Sequence, residues 1–311
     1  MYTVETIETP LNNLTRLTGS SGRVVFSSLK KWHNRNVFRD ISIKYVLKGT
    51  EYYFDSNRVK YRVDQGQFLL GAFQQDSGEC IVDSSASVEG ICLYIKPELL
   101  SDIHAVLSNK NKYDLDAFSF SHLSYPEFFN HIFAGRHSPL QAQLSKCASW
   151  YYFRDSVIPE ELFNEFIVET AEKIVLLQFG IHESMTRLNF LKKATRREIL
   201  RRLITAREYM EENYLLNPSL EEISFYSSLS KYHLLRCFKL AYRQTPFEYV
   251  QNKRLVHAKT ALQNKEAELK DIARLCSFSD LASFSKAFKR KFGMPPSIVQ
   301  KQVQPVYSFN G

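Results

Sequence analysis

The last hundred residues carry one helical signature twice, fifty positions apart. The first copy is S-K-Y-H-L-L-R-C-F-K-L-A-Y-R-Q-T-P from Ser230, and the second is D-L-A-S-F-S-K-A-F-K-R-K-F-G-M-P-P from Asp280. At this offset Leu234 answers Phe284, Phe238 answers Phe288, Tyr242 answers Phe292 and Pro246 answers Pro296. Basic residues recur with them: Arg236 answers Lys286 and Lys239 answers Lys289. Positions three and four residues apart share a face of a helix, so the apolar positions line one face and the basic ones another. The chain must therefore build one amphipathic helical unit twice.

The surrounding signals agree. Leu203, Ala206, Tyr209 and Met210 form the apolar face of a preceding helix that stops near Asn217-Pro218. Ser219-Leu220-Glu221-Glu222 is a capping box, in which the serine and the glutamate three residues on satisfy each other's backbone N–H. Thr195-Arg196-Arg197-Glu198 has the same form and predicts a helix start there. Thr245-Pro246-Phe247-Glu248 adds a proline at the first helical position and opens a long helix to about Leu262. Gly293 with Pro295-Pro296 ends the second copy.

Charge follows the repeat. The formal net charge is +8. Residues 196–311 hold 20 Lys+Arg against 11 Asp+Glu, and residues 1–195 hold 21 against 22. The surplus lies with the duplicated helices, as a polyanion reader requires. Five cysteines without C-x-x-C or zinc spacing fit reduced thiols in a cytoplasmic protein. The N-terminus shows no secretory signal, and the apolar run Ile174–Ile181 is too short to span a bilayer, so no membrane is expected.

The fold expected is multidomain α+β. Residues 1–120 read as β, a sandwich or small barrel: Ile41, Ile43 and Tyr45 alternate, as do Tyr52 and Phe54, then Val59, Tyr61 and Val63. Shorter runs follow at Phe68–Leu70, Cys80–Val82 and Ile91–Ile95, and Glu98–Leu107 turns helical. Residues 121–195 read as helical. Their best stripe, Leu162, Phe163, Phe166, Ile167, Thr170, Ile174 and Leu177, packs on its own core or on a second chain. Residues 196–311 read as all helix.

The C-terminal stretch resembles the AraC/XylS family of bacterial transcription regulators. The resemblance rests on R-L-V-H-A-K-T-A-L (Arg254–Leu262) and D-I-A-R-L-C-S-F-S-D-L-A-S-F-S-K-A-F-K-R-K-F-G-M-P-P-S (Asp271–Ser297), and covers about residues 196–300. It implies two helix-turn-helix units joined by one long helix. Family members usually have alanine where Ser224 stands, and glycine at the turns where Ser228 and Ser277 stand. More weakly, Phe38–Thr50 and Asp64–Leu70 resemble the cupin-like sensor domain of such regulators. That resemblance implies a small-molecule effector in a barrel, with following helices that often dimerise.

On this reading double-stranded DNA is the partner. Tyr232, Leu235 and Arg236 on the first recognition helix, and Ala282, Ser285 and Lys286 on the second, are the candidates for reading bases. Ser230, Lys239, Arg243, Lys289, Arg290 and Lys291 are the candidates for phosphate. Arg236 carries most of the expected discrimination. Trp32, Tyr45, Tyr52, Phe54 and Phe73 are the aromatic candidates for an effector pocket. The resemblance further implies a transcription activator that works with RNA polymerase, binding DNA as a monomer or a homodimer. A regulator whose N-terminal domain only dimerises or binds a protein partner remains open beside it. A cupin-type metalloenzyme does not fit, since His33 stands alone in the β segment while His104, His122, His131, His137 and His182 fall in helical parts. No metal, no cofactor and no catalytic residue are expected.

Overall fold

The computed structural model describes residues 3–9, 12–38, 41–55, 58–72, 77–110, 128–152, 158–264 and 266–302. The chain divides into two compact units, Met1–Glu183 and Ser184–Gly311.

The first unit is built on antiparallel strands: β1 (Thr3–Thr9), β2 (Asn12–Thr18), β3 (Gly22–Phe38), β4 (Ile41–Lys48), β5 (Thr50–Phe54), β6 (Lys60–Asp64), β7 (Gln67–Ala72), β8 (Ser77–Ile95) and β9 (His131–Ala134). The hydrogen-bonded order is β1-β2-β3-β8-β4-β7-β9, with β5 pairing β6 and the first half of β8. The runs expected separately at Cys80–Val82 and Ile91–Ile95 belong to the single strand β8. Strand β9 pairs with β7 and lies in the stretch expected to be helical, so His131 is on a strand; His137 is in a turn. His122 lies outside the described residues. The expected divide at residue 195 falls at 183/184.

Both sides of the sheet are occupied, for different purposes. Val24 and Phe26 of β3 face helices: Phe26 lies 6.0 Å from the ring of Tyr151, on α2 (Gln141–Tyr152). Gly22 leaves room for Ile167, on α3 (Glu160–Arg187). The stripe expected on α3 packs on its own unit, with Phe163, Phe166, Ile167, Thr170 and Ile174 all buried. Helix α1 (Pro97–Lys110) follows β8 directly. The other side of the sheet, carrying Val25, Leu29 and the alternate residues of β8 and β4, surrounds a cavity.

The second unit is helical: α4 (Lys193–Asn213), a 3-10 turn at Tyr214–Leu216, α5 (Leu220–Ser227), α6 (Lys231–Tyr242), α7 (Pro246–Gln263), α8 (Leu269–Leu275), α9 (Leu281–Phe292) and α10 (Pro296–Gln302). The capping boxes at Ser219/Glu222 and Thr245/Glu248 are both formed, with Pro246 at the start of α7. The box expected at Thr195/Glu198 is not. Helix α4 begins three residues earlier, where Lys192 gives no side-chain cap, and Glu198 instead pairs with Arg202 at 2.9 Å. Arg196 donates to the Leu191 carbonyl at 3.2 Å, satisfying chain just before the helix.

Two small cores hold this unit together. Leu203, Met210, Ile223, Leu234, Phe238 and Val250 form one, and Leu255, Leu262, Ile272, Phe284, Phe288 and Val299 form the other. Helix α7 serves both, through Val250 in its first turns and Leu255, Ala258 and Leu262 beyond. Each fully buried Phe stabilises its core by about 1.5–3 kcal/mol relative to exposure. Removing the apolar face of α7 would thus open both units at once.

Candidate nucleic-acid interface and the N-terminal cavity

Helices α6 and α9 start and stop at the same places in the repeat. The hydroxyl of Ser230 accepts the N–H of His233, and the carboxylate of Asp280 accepts that of Ser283 at 2.7 Å. Both helices then run twelve residues. Each closes on a left-handed residue, Arg243 at φ 57° in the first and Gly293 at φ 76° in the second. Leu234, Cys237 and Phe238 are buried in α6, and their counterparts Phe284, Ala287 and Phe288 in α9. The opposite faces therefore remain for a partner.

The preceding helices show where the two units differ. Both helix-to-helix turns pass through a left-handed serine, Ser228 at φ 52° and Ser277 at φ 57°. One residue separates Ser228 from the cap Ser230, whereas two separate Ser277 from the cap Asp280. The repeat is thus fifty residues across α6 and α9 but forty-nine across α5 and α8, with the additional residue in the second turn. Ser277 compensates through its hydroxyl, which donates to the Leu215 carbonyl at 2.9 Å. Ser224 donates likewise to the Leu229 carbonyl, a bond that alanine does not make.

On α6, Tyr232 is 67% exposed and Leu235 and Arg236 are exposed beside it. The Arg236 guanidinium lies 4.7 Å from the centre of the Phe190 ring, a cation–π contact that holds it in place. Sequence reasoning missed this, because Phe190 precedes α4 and has no periodic relation to α6. Leu235 also borders a small apolar cavity of about 150 Å³ with Leu220, Ile223 and Phe247. On α9, Ala282 and Lys286 are exposed and Ser285 is half-buried. Lys239, Arg243, Lys289 and Arg290 are exposed. Lys291 differs from them: its ammonium donates to Asn252 Oδ1 at 2.7 Å, and burial followed by the nearby Lys253 charge lowers its pKa. Its place is against α7.

The cavity of the first unit has a volume of about 400 Å³. Trp32 lines it, but Tyr45, Tyr52 and Phe54 do not, and Phe73 lies outside the described residues. The neighbours of the expected aromatics point inward instead: Lys44, Glu51 and Tyr53. Tyr45 and Tyr52 are on the alternate side of their strands, Tyr52 beneath the Lys60 ammonium at 4.2 Å. Lys44 is 1% exposed and donates to the Tyr94 hydroxyl at 2.6 Å. Glu51 is 2% exposed and accepts from the Tyr53 hydroxyl. Burial pushes the Glu51 carboxyl up, opposed by Tyr53 and then by Lys44. Gly90 makes the room, since a Cβ there would stand 2.7 Å from Glu51 Oε1.

Among the described residues no group of His, Cys, Asp and Glu could hold a metal, and no helix is long and apolar enough to cross a membrane.

A family model described as a helix-turn-helix domain matches residues 223–302, the span from α5 to α10. The probable transcriptional regulator LumQ of Photobacterium leiognathi is 36% identical over 92 residues, which are 30% of this chain and 37% of LumQ. The matched stretch thus spans about a third of that protein's length. The HTH-type transcriptional activator AarP of Providencia stuartii is 32% identical over 90 residues, 29% of this chain and 67% of AarP. A crystal structure of a transcriptional regulator from Chromobacterium violaceum, titled as an AraC-type DNA-binding-domain protein, is 30% identical with a TM-score of 0.32. It covers 33% of this chain and 94% of that one. Two capped helix-turn-helix units on one shared helix, and a relative matched over two thirds of its length, agree with the resemblance of Arg254–Leu262 and Asp271–Ser297: this chain belongs to the AraC/XylS family of transcription regulators.

Proposed function

We propose that the protein is a sequence-specific DNA-binding transcription activator, working with RNA polymerase in the cytoplasm, whose N-terminal unit takes a small-molecule effector. The observation that carries the DNA-binding part is the pair α6 and α9. They are capped alike, buried on matching faces, and exposed on faces that carry Arg236, Lys239, Lys286 and Lys289. Activation is carried over from relatives named as activators, AarP and RhaS of Escherichia coli. The effector reading is supported by the cavity of about 400 Å³, whose wall carries the charged side chains Lys44 and Glu51 beside apolar Leu14, Val25 and Leu29. No catalytic role is assigned to the cavity.

The two recognition helices divide the reading. Arg236 makes bidentate contact with a guanine, worth about 1–3 kcal/mol of discrimination, with Tyr232 and Leu235 against a thymine methyl or a sugar. Helix α9 offers only Ser285 and Lys286 for hydrogen bonding and relies more on phosphate and DNA shape. Selection of bound duplexes from a random pool supplies the target. Arg236→Ala then lowers preference for target over scrambled duplex by about tenfold or more, and Lys286→Ala weakens both duplexes more evenly. Greater loss of preference in the Lys286 variant would sink this division. A homodimer, if formed, binds two such sites as repeats, and sedimentation with and without DNA measures it.

A further inference from the structure

The lining of the N-terminal cavity is sorted by charge along its length. Strand register places Arg23, Tyr94 and Ser42 in one row across β3, β8 and β4. Arg16, Val25, Cys92 and Lys44 form the next row. Three cations of the lining thus stand in two adjacent rows, at one end. Leu29 is four residues further along β3, about 13 Å away at the strand rise, and Trp32 follows it. The sole carboxylate in the lining is Glu51, with Arg35 a further cation at the exposed end.

The cationic end also contains donors left over by the protein. Arg23 Nε is buried and makes no hydrogen bond among the described residues; its guanidinium stacks on the Tyr94 ring at 4.5 Å. Ser42 Oγ, in the same row but not part of the cavity lining, is also buried without a partner among those residues. A buried donor costs stability when unsatisfied, so the Arg23 Nε–H on the cavity wall points to an acceptor supplied from outside. An arginine and a lysine offer charge-assisted hydrogen bonds to an oxyanion, and the single Glu51 carboxylate of the lining offsets only part of the positive charge of Arg16, Arg23 and Lys44.

The geometry points to a small organic anion as the occupant: its oxyanion head lies among Arg16, Arg23 and Lys44, and its apolar body runs toward Leu29 and Trp32. This rests on the effector reading above and narrows it from any metabolite to a class. A cavity of about 400 Å³ is within the range that encloses such molecules.

The test uses the full chain and matched pairs: 4-phenylbutyrate with its amide, cyclohexylpropionate with its amide, and glucuronate and glucose 6-phosphate with glucose. Thermal unfolding and titration calorimetry are the readouts. At least one anion raises the unfolding temperature by several degrees at millimolar concentration, and its neutral partner does not. The carboxylate and phosphate arms tell which oxyanion the site takes. Arg23→Gln and Lys44→Met each weaken the anion at least tenfold while retaining the circular dichroism of the parent. Arg23 is only part-buried, so that variant holds the test if Lys44→Met does not fold. Equal binding of anion and neutral partner, or anion binding unchanged in Arg23→Gln, overturns the proposal and leaves the effector reading standing. Stabilisation by no compound in the panel overturns both.

Discussion

Single residues of the second unit carry costs that the family pattern makes measurable. Ser228 holds φ 52° at a turn where the family resemblance implies glycine, and its side chain makes no hydrogen bond among the described residues to offset the strain. A left-handed non-glycine residue costs about 1–2 kcal/mol, while glycine returns about 0.4–1 kcal/mol through the unfolded chain. Ser228→Gly therefore raises stability by up to about 1 kcal/mol, read from urea midpoints at constant slope. Ser277→Gly gains less or nothing, because it also loses the hydroxyl bond to Leu215, worth about 1 kcal/mol. Equal gains would show that this bond contributes nothing. Arg254 works in the opposite sense. It is buried on α7, donates through Nε to the Tyr214 carbonyl at 2.6 Å and through Nη2 to Asn217 Oδ1 at 2.8 Å. It thereby ties the left-handed Asn217 turn to the joining helix. Arg254→Met leaves that carbonyl unsatisfied and costs about 2–3 kcal/mol, measured in the same denaturation series.

At the scale of elements, three helices of the second unit, α5, α7 and α9, begin with carboxylates whose pKa values are lowered. Glu222 accepts first from the Ser219 N–H, Glu248 from the Thr245 N–H and Asp280 from the Ser283 N–H, each with further help from side-chain hydroxyls. A depressed folded pKa stabilises above the unfolded value and is lost as pH falls through the folded one. The ordinary values are 4.5 for the glutamates and 3.8 for the aspartate. Stability of this unit is thus flat from neutral pH to about 4.5 and declines below it. The triple variant Glu222→Gln, Glu248→Gln, Asp280→Asn keeps acceptors at all three positions and shows a shallower decline, followed by helical circular dichroism between pH 6 and pH 2. The boxes at Ser219/Glu222 and Thr245/Glu248 were legible in the sequence because a cap is a local relation between residues three apart, though the same pattern at Thr195/Glu198 is not formed. The cavity was not. Strand alternation tells which residues share a face, but β4 is buried on both faces, so hydropathy gives no reason to place Lys44 inside and Tyr45 outside. On β3 the register shifts between Leu29 and Lys31, and the strict odd alternation of cavity-lining positions (Arg23, Val25, Ser27, Leu29) gives way to Trp32, Asn34 and Arg35. No single-strand pattern contains that change, since it depends on how β8 pairs.

Over the whole molecule, the partition of charge sets how binding to DNA responds to salt. The near-neutral balance of residues 1–195 adds no long-range attraction, so the slope of affinity against salt comes from the cations of the second unit. Not all of those cations are available. Lys239, Lys289 and Arg290 are exposed on the recognition helices, whereas Lys291 is bonded to Asn252 and Arg254 is buried in α7. Each released counterion contributes about 0.9 to the slope of log affinity against log salt. Alanine at Lys239, Lys289 or Arg290 therefore lowers the slope by about one unit per phosphate lost, on target and scrambled duplexes alike. Lys291→Ala leaves the slope where it was and instead lowers thermal stability, because what it removes is the bond to Asn252. Fluorescence anisotropy between 50 and 300 mM salt, on the order of the range where such slopes are linear, measures all four. A slope that falls for Lys291→Ala as for the others would mean that the lysine leaves α7 when DNA arrives. The second unit would then reshape itself on binding rather than dock as it stands.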